Sequence, residues 1–186
     1  MKRIFLGIKI PQSDILSGFY KKIQKEFIND NIKWVSLNNL HITLLFIGDT
    51  EENQIPLIIK YLSEIKLNQN YINIKIKEFG FFGTLHNPRV LWLGIDESNE
   101  LIKLKNNIDN ALIRLSVNLK NEPEFNPHLT IGRPKKINDY NKLKQLIEYN
   151  KGKEIIQFNT DHYTLFESIL KPEGPEYYSI KHFNLI

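Results

Sequence analysis

His41-Ile42-Thr43-Leu44 is the stretch that decides how this chain folds, because it recurs as His128-Leu129-Thr130-Ile131. The two copies are 87 residues apart (128 − 41), and the same offset (92 − 5) relates Phe5-Leu6-Gly7-Ile8 to Trp92-Leu93-Gly94-Ile95. Two elements repeated at one spacing indicate a duplicated unit rather than a chance pair of histidines. We predict two copies of this unit, over about residues 3–48 and 90–135, packed about a pseudo-twofold axis with both histidines at one groove.

The composition of the chain is typical of one globular domain. Its 186 residues include 41% hydrophobic and 11% aromatic side chains, which is enough to form a core. The sequence has no apolar run of about 18 residues, and it has no cysteine for a disulfide or a thiolate metal site. We therefore expect a single two-lobed domain over residues 1–186, located in the cytoplasm and away from membranes. The net charge of +4 favours an anionic partner only weakly.

The hydrophobic pattern predicts an α+β fold. Residues 3–10 alternate apolar and polar side chains as a half-buried strand does, and Ser13 then offers an N-cap oxygen to a helix that ends near residue 29. The same reasoning predicts helices over residues 55–65, 99–117 and 140–147, strands over residues 71–79, 90–95, 155–158, 163–170 and 177–185, and a loop over residues 80–88. We expect two similar lobes with mostly antiparallel sheets, helices outside and a central groove.

The strand that carries the first motif, over residues 40–47, is expected to have one polar and one apolar face. Successive side chains of a strand point to opposite sides, so one face holds His41, Thr43 and Leu45. The other face then holds Ile42, Leu44 and Phe46. This alternation predicts that the histidine and the threonine line the groove while the apolar side chains fill the core.

The histidines of the two motifs are the candidate catalytic residues. Imidazole has a pKa of about 6.5, so near neutral pH one ring can accept a proton while a second ring donates one. A single strand histidine is more often a structural residue, but the matched placement of His41 and His128 favours catalysis. His86, His162 and His182 have no matching partners, and we interpret them as ordinary surface or half-buried residues.

Three polar residues near the histidines are candidates for binding a substrate. Thr43 and Thr130 each lie two residues after a histidine, where a hydroxyl can donate to a phosphate oxygen, although threonine is also a common strand former. Arg133, just after the second motif, can offer a guanidinium fork to a phosphate or a ribose. The alternative for Arg133 is a solvated arginine at the end of a strand.

Common metal and nucleotide motifs do not occur in the sequence. There is no H-E-x-x-H pair, no cysteine cluster and no D-x-[DN]-x-[DN] loop, and two histidines a whole repeat apart do not form a typical ligand set. There is also no P-loop lysine and no G-x-G-x-x-G after a strand. We therefore expect no metal, no cofactor and no nucleoside triphosphate or dinucleotide site.

The two motifs, in NNLHITLLFIGD and NPHLTIGRP, resemble those of the two-histidine phosphoesterase superfamily. Within it the chain is similar to the RNA 2′,3′-cyclic phosphodiesterases, also called 2′-5′ RNA ligase-like proteins. The likeness extends to the opening RIFLGIKIP, the strand PRVLWLGI, Arg133, and the closing LFESILKPEGPEYYSI. The resemblance implies a two-lobed fold whose groove holds both motifs, and opening of a 2′,3′-cyclic phosphate to a 2′-phosphate without a metal.

The resemblance also assigns roles that the near-symmetric repeat leaves open. It implies that His41 donates a proton to O3′ and that His128 activates a water, with Thr43, Thr130 and Arg133 holding the substrate. The expected partners of the protein are then RNA with 2′,3′-cyclic phosphate ends or small cyclic nucleotides. We expect no obligate protein partner. Reversible 2′-5′ ligation is a further activity left open. The alternative is a nucleotide or RNA-end binding module of the same fold with little turnover.

Overall fold

Nine strands and four helices form the described part of the chain, which a computed structural model covers over residues 1–115, 125–172 and 174–186. The strands are β1 (Lys2–Lys9), β2 (Asn31–Trp34), β3 (His41–Thr50), β4 (Ile72–Thr84), β5 (Asn87–Ile95), β6 (His128–Lys136), β7 (Glu154–Thr160), β8 (His162–Leu170) and β9 (Pro175–Asn184). The helices are α1 (Asp14–Glu26), α2 (Ile55–Ser63), α3 (Asn99–Ile113) and α4 (Tyr140–Asn150). The two motifs therefore lie at the starts of β3 and β6.

The strands form one sheet in which the two motif strands lie side by side at the centre. The order is β7-β4-β5-β6-β3-β1-β8-β9, with β2 added alongside β6, and the described pairings are antiparallel. The motif strands β3 and β6 are central neighbours, and the repeated strands β1 and β5 flank them. This arrangement confirms the predicted α+β fold with two similar halves about a pseudo-twofold axis.

The sheet is strongly curled. Strands β7 and β8 are six positions apart in the sheet order, yet Asp161 alone separates them in the chain. In a flat sheet six spacings of about 4.8 Å would place them roughly 29 Å apart, which one residue cannot span. The sheet must therefore curl until the start of β8 approaches the end of β7.

A continuous hydrophobic core fixes the helices on this sheet. Helix α1 is capped by Ser13, whose Oγ accepts from the amide of Leu16, and it buries Leu16, Tyr20 and Ile23. Helix α1 contacts β7, α4 contacts β4, and α2 packs against α3. No helix of the described residues is long and apolar enough to cross a membrane.

The predicted loop over residues 80–88 is wrong. Strand β4 continues to Thr84 and β5 begins at Asn87, so the two strands form a hairpin around a two-residue turn. The glycines and the proline of this stretch suggested a loop, but Gly83 adopts a φ of +110° at a register shift within the ladder. Glycine tolerates this conformation, and the hairpin continues through the irregularity.

The predicted faces of the first motif strand are wrong beyond Leu44. Leu45 is buried, whereas Phe46 is half-buried and lies under the guanidinium of Arg3. The β1–β3 register pairs Gly7 with Thr43 and Leu6 with Leu45, so Leu44 is an extra residue in β3. Such a β-bulge reverses the alternation that follows it. The predicted helix over residues 99–117 begins as expected at Asn99 but ends earlier, at Ile113, and residues 116 and 117 lie outside the described residues.

Candidate active site

The two H-x-T motifs meet where the halves of the sheet join. Ile42 of β3 pairs with Leu129 of β6, and both side chains are fully buried. Extending this antiparallel register by one residue in each direction places His41 opposite Thr130 and Thr43 opposite His128. Because side chains alternate, these four residues share the face opposite to the buried pair. The histidines are then diagonal neighbours, with Cα atoms roughly 7–8 Å apart in a regular ladder.

Each motif histidine is held by the same backbone contact. Nδ1 of His41 lies 2.7 Å from the carbonyl oxygen of Asn39, and Nδ1 of His128 lies 2.8 Å from that of Asn126. A carbonyl oxygen only accepts, so in both rings Nδ1 carries the hydrogen and donates it. Nε2 remains to accept or to donate the second proton, as an acid–base catalyst requires.

Aromatic rings, which the sequence analysis did not assign to the site, pack against both histidines. The ring of His41 has its centroid 4.8 Å from Phe5 and 4.9 Å from Tyr177, and the ring of His128 lies 4.7 Å from Phe82 in an edge contact. Phe5 had one sequence signal, since it matches Trp92 in the repeat. Tyr177 had none, because only the packing of the closing hairpin β8–β9 brings it there.

A second β-bulge, equivalent to the bulge at Leu44, directs Arg133 to the face of the histidines. The β5–β6 register pairs Trp92 with Thr130 and Leu91 with Gly132, which leaves Ile131 as the extra residue. Without this bulge Arg133 would point to the core side of the sheet. Arg133 is instead exposed, and its charge lowers the pKa of His128.

Burial and nearby charge lower the pKa of both histidines. Burial is the main cause at His41, where the charge of His128 acts in the same direction and the Asn39 carbonyl acts against them. Burial is also the main cause at His128, opposed by the Asn126 carbonyl and reinforced by Arg133. Both rings are therefore more easily deprotonated than imidazole in water, and the charge of His128 acts on His41 as expected for two groups of one site.

The other three histidines lie in different surroundings. His86 makes an edge contact with Tyr140, and the rings of His162 and His182 are 5.1 Å apart. His162 is also paired with Asp161, at 2.6 Å from Nδ1 to Oδ1. None of these contacts involves His41 or His128.

A curled antiparallel sheet with two H-x-T strands side by side at its centre defines the class of two-histidine phosphoesterases. The chain belongs to the LigT like phosphoesterase family, whose model matches residues 8–92 and again residues 93–177. The two matched segments divide the chain between the motifs, with one H-x-T motif histidine in each segment.

Relatives of known name align with nearly the whole chain. It is similar to the RNA 2′,3′-cyclic phosphodiesterase of Methanocaldococcus jannaschii, at 37% identity over 179 residues that cover 96% of this chain and 98% of that protein. The protein of the same name from Aquifex aeolicus is 34% identical over 185 residues, covering 98% and 97%. Among solved structures, E. coli LigT complexed with 3′-AMP shares the fold, with a TM-score of 0.78, 22% identity and coverage of 99% and 98%.

Proposed function

We propose that this protein hydrolyses the 2′,3′-cyclic phosphate ends of RNA, and small cyclic nucleotides, to 2′-phosphates. The observation that carries the proposal is that His41 and His128 each adjoin one member of the Ile42–Leu129 pair of the two central strands, with Nδ1 engaged by a carbonyl and Nε2 left for proton transfer. Relatives named RNA 2′,3′-cyclic phosphodiesterase, at 34–37% identity over almost the whole chain, support this choice of substrate.

The two histidines have complementary roles in this reaction. His128 takes a proton from a water whose oxygen attacks phosphorus, and His41 gives a proton to O3′ as the P–O3′ bond breaks. The product keeps its phosphate on O2′. The positive charge of Arg133 lowers the pKa of His128 and so favours the neutral form that a base needs. Negative charge on a bound phosphate would raise the pKa of His41 and favour the protonated form that an acid needs.

The threonines and Arg133 are proposed to hold the phosphate and the ribose. By the same register, Thr43 lies opposite His128 and Thr130 opposite His41, where hydroxyl donors can stabilise the non-bridging oxygens as charge builds on them. The residue that matches Arg133 in the first repeat is Phe46 (133 − 87), so a guanidinium is present in one half only. This difference would orient the ribose in one direction across an otherwise symmetric site.

We propose further that both halves act as one unit over residues 1–186, with the repeat covering about residues 3–48 and 90–135. Each repeat supplies one histidine and one threonine, so neither half contains the complete site. No step of the proposed reaction requires a metal. A 5′-hydroxyl of a second RNA in place of water would give a 2′-5′ linkage by the same proton transfers.

The test is turnover of RNA with a 2′,3′-cyclic phosphate end in the presence of EDTA, with identification of the product. We expect a 2′-phosphate product and unchanged activity with the chelator. His41→Ala and His128→Ala should each lower kcat by about 10²–10⁴-fold, the usual contribution of a general acid or base. His86→Ala is the matched control and should retain full activity, because His86 lies against Tyr140 instead. Weakened binding with an unchanged rate would instead indicate a binding module, and loss of activity with EDTA would reject the metal-independent mechanism.

The assignment of acid and base can be tested separately. A substrate whose 3′-oxygen is replaced by a leaving group that needs no proton should restore the activity of His41→Ala but not of His128→Ala. Only the acid becomes dispensable with such a leaving group. The opposite pattern of rescue would exchange the two roles, and a 3′-phosphate product would reject the assignment altogether.

A further inference from the structure

A cavity of about 330 Å³ lies where the curled sheet closes, between the end of β1 and the junction of β7 and β8. Lys9, which lines it, is the register partner of His41 in the β1–β3 ladder, so their side chains share a face. Extending the β1–β8 register from its Gly7–Thr164 pair places His162, another lining residue, opposite Lys9. Adjacent strands are about 4.8 Å apart, so the cavity begins one strand away from the catalytic histidine.

The backbone also connects this cavity to the site. Asn38 lines the cavity and directly precedes Asn39, whose carbonyl accepts from Nδ1 of His41. A molecule that occupies both the candidate active site and the cavity would therefore lie along the sheet from His41 to Lys9.

The lining of the cavity has the chemistry of a site for single-stranded RNA. Gln12 donates from Nε2 to Oδ1 of Asn38, and Oδ1 of Asn159 accepts from Asn73. Oε1 of Gln12 and Nδ2 of Asn38 and of Asn159 can then accept from and donate to the edge of a base. Leu37 and Phe158 add apolar surface on which a base can pack.

The charges at the cavity are compatible with an anionic backbone. Lys9 is an exposed cation in the lining of the cavity and the register partner of His41. The carboxylate of Asp161, which also lines the cavity, is engaged by His162, and this hydrogen bond lowers the pKa of Asp161. The carboxylate of Asp161 is thus engaged by His162, whereas no ion pair involves Lys9 among the described residues.

We propose that this cavity binds the nucleotide on the 5′ side of the one that carries the cyclic phosphate. Lys9 contacts the phosphate that links the two nucleotides, and the amide side chains contact the base of the 5′ nucleotide. This inference rests on the proposed function, and it makes a chain of at least two nucleotides the preferred substrate over a cyclic mononucleotide.

The test compares a dinucleotide that ends in a 2′,3′-cyclic phosphate with the cyclic mononucleotide. We expect kcat/KM to be at least about tenfold higher for the dinucleotide, which corresponds to about 1.4 kcal/mol. Lys9→Gln should lower this dinucleotide-to-mononucleotide ratio about five- to tenfold, whereas Lys144→Gln, an exposed lysine on α4, should leave it unchanged. A dinucleotide whose 5′ nucleotide lacks its base should show a smaller ratio of kcat/KM to the mononucleotide. Lys9→Gln should still lower that ratio, because the linking phosphate is retained.

Measuring the binding of products, which do not react, tests the subsite independently of the proposed hydrolysis. The dissociation constants of a dinucleotide and a mononucleotide with 2′-phosphate ends are measured over a range of salt concentrations. Lys9→Gln should reduce the slope of log K against log salt for the dinucleotide by about 0.7, the value for one lost phosphate contact. If this reduced slope is found but the protein shows no turnover, the proposed function is overturned and the subsite stands. Equal affinity for both lengths, or an equal effect of Lys9→Gln on both, would overturn the subsite.

Discussion

At the scale of single residues, the two histidines differ from free imidazole mainly because they are buried. Burial lowers the pKa of both, and each also has a nearby positive charge that lowers it further: His128 for His41, and Arg133 for His128. The carbonyls of Asn39 and Asn126 oppose this shift without reversing it. The free protein therefore favours the neutral form of both rings more than water does, and their protonation is favoured as the pH falls or as an anion binds.

These shifts predict a bell-shaped profile of kcat/KM with an optimum below about pH 6.5. The rate rises with pH as His128 becomes neutral and falls as His41 loses its proton, and both pKa values lie below the ordinary value. The profile of kcat should lie at higher pH, because a bound phosphate stabilises the protonated rings. The measurement is the pH dependence of both constants with a cyclic mononucleotide. A kcat/KM plateau that extends beyond about pH 8 would contradict the prediction.

At the scale of elements, paired β-bulges set the composition of the site. The extra residues are Leu44 in β3 and Ile131 in β6, which are related by the repeat offset of 87 (131 − 44). Each bulge directs the second residue after it, Phe46 or Arg133, to the face of the histidines. The bulges are thus part of the duplicated unit. At the equivalent position after each bulge, the first half has Phe46 and the second half has Arg133.

Arg133→Ala should raise KM by about 10–100-fold, because a hydrogen bond to a charged group contributes about 1.5–3 kcal/mol. Stability should change by no more than about 0.5 kcal/mol, since Arg133 is exposed. The control is Arg133→Lys, which keeps the charge but loses the fork and should give an intermediate KM. Steady-state kinetics and urea unfolding measure the two effects. Unchanged KM and kcat in Arg133→Ala would make the residue a bystander.

The closing hairpin β8–β9 is a second element that the site depends on. Asn39 donates from Nδ2 to the carbonyl of Pro175 at 2.7 Å, and Tyr177 packs against the ring of His41. Burial raises the pKa of Tyr177, while the charges of Arg133 and Arg3 act against this, so its hydroxyl stays protonated near neutral pH. The hairpin therefore supports His41 in two ways. Pro175 binds Asn39, whose carbonyl accepts from His41, and Tyr177 contacts the imidazole ring directly.

At the scale of the whole molecule, the two halves are joined through the motifs themselves. In the described residues the β3–β6 pairing consists of Ile42 and Leu129, and β2, from the first half of the sequence, pairs with β6 of the second. The buried residues form one continuous cluster across both halves. The contacts that position the histidines therefore also hold the halves together.

Leu129→Ala should destabilise both halves by about 2–5 kcal/mol, because it leaves a cavity at the junction that they share. In native-state hydrogen exchange, we expect the amides of β1 and those of β5 to lose protection equally. The control is Leu57→Ala, which truncates an exposed side chain on α2 and should change stability by no more than about 0.5 kcal/mol. A loss confined to β5 and β6 would show that the halves unfold independently.

The sequence alone was sufficient for what local patterns and the repeat encode. The offset of 87 predicted the duplicated unit, and alternation predicted the motif strands and the shared face of His41 and Thr43. Strand alternation and helix caps are properties of neighbouring residues, so they can be read without knowing what packs against them. The family membership followed from the same motifs.

Only the tertiary structure decided which distant groups complete the site. The bulges at Leu44 and Ile131 exist only relative to a partner strand, and the pairing of β2 with β6 joins residues about a hundred positions apart. The contact of Tyr177 with His41 requires the closing hairpin to lie against the first half of the sheet. Such contacts depend on register and packing between segments that are remote in the chain, and no local periodicity specifies them.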